Sequence, residues 1–261
     1  MLLQDAAPLS KTHSLTKLSI VVPCYNEEQG LDQLTERLET LRAVFQDRML
    51  VEVVFVDDGS SDQTATGLDL RIGQFDWAKV IRHQSNRGIT AAIMTGIRNA
   101  SHELVATIDA DCTYDPLQLA GLLDLMSDDV AMVTASPYHP NGEVEGVPRW
   151  RLGLSRIASS CYGVLLGTRL HTYTSCFRVH RRSFVEKLDI RQDGFVGVAE
   201  MLWQIQKHGG TIVEAPAKLT SRRLGFSKMK TLPVIFAHLQ LMLRILADRL
   251  LGGLPSRKST R

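Results

Sequence analysis

Leu104-Val-Ala-Thr-Ile-Asp-Ala-Asp111 is the stretch on which the fold turns. Five apolar or β-branched residues read as a short buried strand, and the paired acids Asp109 and Asp111 close it. The same pattern recurs upstream. Leu18-Ser-Ile-Val-Val-Pro23 runs into Tyr25-Asn26-Glu27, and Val51-Glu-Val-Val-Phe-Val56 runs into Asp57-Asp58-Gly59. Val80-Ile81 and Val130 to Thr134 read as further strands. Helical spacing fills the intervals: Leu31, Leu34, Leu38 and Leu41 within a helix from Glu28 to about Phe45, small residues from Gly88 to Ala100, and Asp115-Pro116 opening a helix to about Met126. Strands that alternate with helices predict an α/β fold, a central and mostly parallel sheet flanked by helices. In such sheets ligands bind at the carboxyl ends of the strands, where these three polar clusters fall.

Beyond Ser136 the alternation stops. Residues 137–150, rich in Pro, Gly and charge, read as a flexible loop. A helix is expected over Arg151 to Leu166, a strand over Thr174 to Val179, a helix over Gly197 to His208 and a short strand over Thr211 to Val213. Leu232 to Leu251 is apolar but interrupted by His238, Gln240, Arg244, Asp248 and Arg249, so it falls short of the ~18–20 residue run of a membrane span. It reads as an amphipathic helix that lies on a surface or packs against the domain.

Composition narrows the function classes. Of 261 residues, 44% are hydrophobic and 22% charged, which suits a globular chain and not a disordered one. The net charge of +2 gives no strong overall field, and nothing points to a nucleic acid partner. The last forty or so residues are basic, which suggests an anionic partner for that end. Cys24, Cys112, Cys161 and Cys176 have no metal-ligand spacing and read as reduced cytosolic thiols. The first sixteen residues lack the apolar core of a signal peptide and read as a mobile arm. No GxGxxG follows the first strand, which argues against a Rossmann dehydrogenase.

Each cluster has its own chemistry. Asp109 and Asp111, spaced i, i+2 at a strand end, can each turn an oxygen toward one hard cation, Mg²⁺ or Mn²⁺. Asp57 and Asp58 can accept hydrogen bonds from a base or ribose, with Gly59 permitting the tight turn. Tyr25 can stack on a base and Glu27 can bond its edge; Arg87 can stand near phosphate. Alone, each cluster reads equally well as a turn, a helix cap or a solvated charge.

Taken in order, IVVPCYNEE, VVFVDDGSSDQT, NRGITAAIMTGIRNA and VATIDADCTYDP resemble the family 2 glycosyltransferases, inverting enzymes of GT-A-type fold, over roughly residues 17–135. The resemblance implies that Pro23, Tyr25, Glu27 and Asp57 hold a nucleotide-sugar donor, and that Asp109 and Asp111 serve diphosphate and metal; the residue reading adds Asp58 and Arg87 as donor-side candidates. In the second half, Thr174-Ser-Cys-Phe-Arg-Val-His-Arg181 and Arg222-Arg-Leu-Gly-Phe-Ser-Lys-Met229 look like segments of the dolichol-phosphate mannosyltransferases and related polyprenol-phosphate enzymes. They imply a polyprenyl-phosphate acceptor whose phosphate Arg178, Arg222 and Lys228 would grip, with Asp111 at the reacting centre. Ser155-Arg156 fits a looser position on the acceptor side. The chain departs from the pattern at Thr113, where a Gln is common, and at Pro137-Tyr138, where an Arg-Tyr pair is expected.

The resulting expectation is a catalytic domain over 17–231, with a donor half to residue 135 and an acceptor half from 136. A surface helix and tail follow over 232–261, peripherally associated with the cytoplasmic face of a membrane. An ionised lipid phosphate needs no strong general base; an alcohol acceptor would, and Glu200 or Asp111 is then the candidate. A soluble glycan acceptor and a catalytically silent nucleotide-binding scaffold are the alternatives.

Overall fold

The computed structural model describes residues 16–221 and 231–252. Nine strands and eight α-helices follow in the order β1 (Thr16–Cys24), α1 (Leu31–Phe45), β2 (Met49–Asp57), α2 (Thr64–Ile72), β3 (Ala78–Arg82), α3 (Ile89–Asn99) and β4 (Leu104–Thr107). Then come α4 (Leu119–Leu123), β5 (Val130–Ser136), β6 (Glu143–Glu145), α5 (Arg149–Leu166), β7 (Arg178–Arg181), α6 (Arg182–Val185), α7 (Phe195–Lys207), β8 (Thr211–Pro216), β9 (Lys218–Thr220) and α8 (Thr231–Leu250).

The main sheet has seven strands in the order β3-β2-β1-β4-β7-β5-β8. Every pairing is parallel except those of β7, which runs antiparallel to β4 and β5. The α/β architecture with a mostly parallel sheet is therefore as expected. β1 is buried along Leu18 to Val22 because both faces are covered: Ile20 points into the core under α1 and α2, and Val21 into the core shared with α3, α5, α7 and α8. The small residues of α3 let it close on the sheet. At Gly96 an added Cβ would lie 2.2 Å from a Val21 methyl, so only glycine fits.

Several boundaries differ from the sequence reading. The helix expected from Glu28 begins as a 3-10 turn over Glu28–Gly30, and the one expected to reach Met126 is a 3-10 turn over Pro116–Gln118 followed by the short α4. The strand expected over Thr174 to Val179 starts only at Arg178. Before it, the Cys176 carbonyl accepts the Thr107 hydroxyl and the Phe177 amide turns onto Ser175, which takes this backbone out of the ladder. The expected loop 137–150 contains β6, which pairs in parallel with β9. Lys218 reinforces that pairing through Glu143 at 3.0 Å and Glu145 at 2.9 Å. Among the described residues no helix is long and apolar enough to cross a membrane. α8 instead buries Leu241 and Ile245 against α5 and α7 and leaves Phe236, Leu239, Leu243 and Leu250 exposed.

Candidate active site

A cavity of about 660 Å³ opens at the carboxyl edge of β1, β2 and β4. Pro23, Tyr25, Glu27, Asp58, Asp109 and Asp111 all line it, so the strand-end acids, separated by up to 84 positions, share one space. Register explains why. Cys24 pairs with Asp57 and Val21 with Thr107, so the three strands release their polar ends at nearly the same level.

The loops are then fastened to one another. Asn26 adopts a left-handed φ of 53°, and its Oδ1 accepts the Ser61 amide at 2.7 Å. In return the Asn26 amide donates to Ser60 Oγ at 2.9 Å and the Glu27 amide to Thr64 Oγ1 at 2.7 Å. The first and second strand-end loops thus form one rigid rim beneath Tyr25 and Glu27.

Asp57 and Asp58 divide their work in a way that spacing does not reveal. Asp57 is buried, accepts the Ser60 amide at 3.1 Å and shapes the turn without lining the cavity. Asp58 reaches the cavity wall and holds the next loop, accepting Arg87 N–H at 2.9 Å and Gly88 N–H at 2.8 Å. His83 Nδ1 lies 2.6 Å from the same carboxylate while its Nε2 meets Thr95 Oγ1 at 3.0 Å. Arg87 thus enters the site through its main chain. Its side chain is exposed and outside the cavity lining.

At the end of β4 the chain turns through Cys112 at φ 52°, and Asp111 Oδ1 accepts the Thr113 amide at 3.1 Å. The neighbouring thiols stay protonated. Burial and then the Asp111 charge push Cys112 up to about 12, and burial followed by Asp109 pushes Cys176 well above its ordinary range. The Asp109 and Asp111 carboxylates are hard oxygen donors, a set that suits Mg²⁺ or Mn²⁺. Among the described residues no group of three or more His, Cys, Asp or Glu could hold a metal unaided. An ion at Asp109 and Asp111 would take its remaining oxygens from ligand and water.

The acceptor-side cations fall differently. Arg178 points into the core, 1% exposed, with Nη1 donating to the Val198 carbonyl at 2.8 Å and Nη2 to the Tyr173 carbonyl at 2.9 Å. Burial lowers it to about 10, still a cation at neutral pH. In this arrangement it braces backbone from an inward-facing position on β7 and lies outside the cavity lining. Arg222 and Lys228 lie outside the described residues. Glu200, one candidate base for an alcohol acceptor, is fully enclosed and bonded to Arg244 at 2.6 Å, so it too stands apart from the cavity.

The Glycosyl transferase family 2 profile matches residues 19–189. Polyprenol monophosphomannose synthase of Mycolicibacterium smegmatis is 31% identical over 217 residues, 80% of either chain. The chain is a family 2 glycosyltransferase. Dolichol-phosphate mannosyltransferase of Pyrococcus furiosus is 27% identical over 232 residues, which span 88% of this glycosyltransferase and 64% of that longer chain. Among solved structures, glucosyl-3-phosphoglycerate synthase from Mycobacterium tuberculosis, in complex with Mn²⁺, UDP and phosphoglyceric acid, superimposes with a TM-score of 0.65 at 19% identity, over 92% of this chain and 80% of that one. That likeness shows the fold, the GT-A type.

The glycosyltransferase completes its cavity with residues that carry no motif chemistry. The segment before β7 contributes Thr172, Thr174, Ser175 and Cys176; the start of α7 contributes Gly194 and Phe195; β9 and its end contribute Leu219 to Ser221. Ser155 on α5 and Pro233 and Val234 on α8 bound the far side. Of these, Ser155 and the run Thr174-Ser175-Cys176 had a sequence signal. The rest contribute backbone, hydroxyl or apolar surface, which any loop can supply.

Proposed function

We propose that this glycosyltransferase moves a sugar from a nucleotide-diphosphate donor to a polyprenyl phosphate at the cytoplasmic face of a membrane. One observation carries the reading: a single cavity has strand-edge acids at one end and, at the other, a boundary built from α5 and α8, two helices with exposed apolar stripes. On α5 the stripe is Trp150, Leu154, Ile157 and Val164; on α8 it is Phe236, Leu239, Leu243, Leu246 and Leu250. Both repeat at intervals of three and four, the spacing of one helical face. Apolar surface of this extent marks a docking face, and a bilayer is the one a lipid substrate supplies. The mannosyl relatives, named for polyprenol and dolichol phosphates, support the acceptor class. The residue halves 17–135 and 136–231, with 232–261 as surface helix and tail, follow this division of labour.

The chain's own groups do the positioning. Tyr25, Glu27 and Asp58 face the donor's nucleoside, and the Gly88 backbone, held by Asp58, sets the wall beside it. Asp109 and Asp111 are the pair that would hold Mg²⁺ or Mn²⁺, the ions recorded with related folds. When bound, such an ion offsets the negative charge that grows on a departing nucleoside diphosphate. A phosphate acceptor is ionised near neutral pH, so alignment and charge stabilisation suffice without a general base. Enclosure of Glu200 and Arg178 is consistent with that economy.

The test is a donor-by-acceptor screen with radiolabelled nucleotide sugars and Mn²⁺. The expected product is a sugar-phosphate lipid formed from polyprenyl phosphate and lost with chelator. Transfer to free glycans but not to polyprenyl phosphate overturns the acceptor, and no turnover of any donor overturns the enzyme reading.

A further inference from the structure

Glu200 is a buried carboxylate that the transfer chemistry leaves unused, and its bonds lead back to the site. It is fully enclosed on α7. Oε2 accepts the Arg191 amide at 3.0 Å and the Gln192 amide at 2.8 Å, while Oε1 accepts Arg244 Nη1, from α8, at 2.6 Å. The Arg244 guanidinium also lies over the Trp203 ring, 5.0 Å from its centroid. One carboxylate thereby fastens α7, the loop that leads into it, and α8.

That loop reaches the cavity within two residues. The Asp193 carbonyl accepts the amides of Thr90 at 2.7 Å and Ala91 at 3.2 Å, buried first-turn donors of α3 that have no carbonyl within the helix to bond. The Gly194 carbonyl accepts the Thr90 hydroxyl at 2.7 Å, and Gly194 and Phe195 form part of the cavity wall. Gly88 backs directly onto this loop. Its φ is 98° and an added Cβ would sit 2.5 Å from the Asp193 carbonyl oxygen. Since Asp58 holds the Gly88 amide, hydrogen bonds and one close backbone contact, Gly88 against Asp193, lead from α8 through Arg244, Glu200 and the 191–195 loop to the donor side.

We propose that Glu200 and Arg244 are a positioning pair for the transfer reaction. They set the cavity wall at Gly194–Phe195 and the first turn of α3, so α8 braces the active site as well as forming part of its docking face. The physical argument is that an enclosed carboxylate is tolerated only while its partners stay in place. Without Arg244 the charge keeps two loop amides alone, and the loop must shift or the carboxyl must take up a proton. Either response moves the backbone that lines the cavity. The inference rests on the proposed transfer activity, but the experiment separates the two.

In the full chain, Glu200→Gln, Arg244→Met, Arg244→Lys and the double variant Glu200→Gln/Arg244→Met are compared well below their melting temperatures. The readouts are steady-state transfer and calorimetric binding of UDP and GDP with Mn²⁺. Because small misplacements of binding groups are amplified at a reacting centre, each of the first two variants should lower kcat/KM by roughly ten- to a hundred-fold. The double variant should lose no more than the worse single, since the pair acts as one unit. Arg244→Lys should recover to within a few-fold of the natural chain, and nucleoside diphosphate binding should weaken in parallel with the losses. Folded variants within two-fold of the natural chain in both readouts, or single losses that multiply in the double, overturn the pair. If the natural chain transfers no sugar, the function reading fails, and the binding arm still decides whether the pair shapes the cavity.

Discussion

The sheet divides at β4 into two regions that build the site by opposite routes. In β3-β2-β1-β4 every strand runs toward the cavity, so the residues that follow each strand supply the chemistry: Tyr25 and Glu27, Asp58, Asp109 and Asp111. In the other region β7 runs the reverse way, so the residues that precede it, Thr172 to Cys176, arrive at the cavity. Arg178, the first residue of β7, already points inward. A motif read as "strand, then function" leads to side chains on the cavity in the first region and to a cation in the core in the second.

The largest effect that tests this division is in the parallel region. Asp111→Asn keeps an oxygen for the Thr113 amide but removes the charge, so the fold should persist while transfer falls on the order of 10³-fold, as expected when a cation's charge stabilisation is lost. Activity within ten-fold of the natural chain, with an unchanged melting curve, would place the decisive acids elsewhere.

Arg178→Met tests the antiparallel region. Two buried carbonyls lose charged donors, and α7 and the segment before β7 lose their brace to the sheet, so stability should fall by about 2–4 kcal/mol in denaturant titration. If Arg178 gripped phosphate instead, the acceptor KM would rise and the stability would not move.

His180, two residues along the same strand, gives this region an acid signature. Both ring nitrogens are buried without a hydrogen-bond partner among the described residues, and burial, helped by the Arg178 cation, lowers it to about 3. It is therefore neutral when folded and takes up a proton more readily when unfolded. Its contribution is intact above the unfolded value near 6.5 and is lost as pH falls from there toward about 3. The slope is about 1.4 kcal/mol per pH unit. His180→Leu should flatten the stability–pH curve by one proton in that window; parallel curves for the two chains would show that His180 is not the sensing group.

How much of this was legible follows from the same physics. Leu18 to Val22 and Val53 to Val56 announce buried strands because their periodicity and β-branching are local properties. The Asp109/Asp111 pair is legible because it ends such a run. The direction of β7 is not, since four residues, Arg-Val-His-Arg, can pair either way and only their partners decide. Nor is β6–β9, where Glu-Val-Glu meets Lys-Leu-Thr across 75 positions between the paired residues. Asp57 and Asp58 differ by a single position, yet one shapes a turn and the other reaches the cavity, because consecutive side chains leave a strand on opposite sides. A sequence names a charge without saying where it points. Glu200 and Arg178 are the cases in hand.

The smallest expected effect sharpens the comparison within α8 itself. Leu241 and Leu243 are two residues apart; the first is 1% exposed and the second 66%. If the exposed stripe is a membrane face, Leu243→Glu should leave the melting temperature nearly unchanged, as surface substitutions do within about 0.5 kcal/mol. It should also weaken flotation with anionic vesicles by several-fold and lower transfer to vesicle-borne polyprenyl phosphate accordingly. Leu241→Glu should do the reverse, unfolding the α8 contact with α5 and α7 before any effect on vesicles can be read. Raised salt should weaken binding of the natural chain, because basic side chains near an anionic leaflet contribute about 1 kcal/mol each and are screened. Equal flotation of the natural chain and Leu243→Glu at low salt would remove α8 from the docking face. The bond from Arg244 to Glu200 would then stand with Pro233 and Val234 as the helix's claim on the site, and the helix would be a wall of the enzyme and not its contact with lipid.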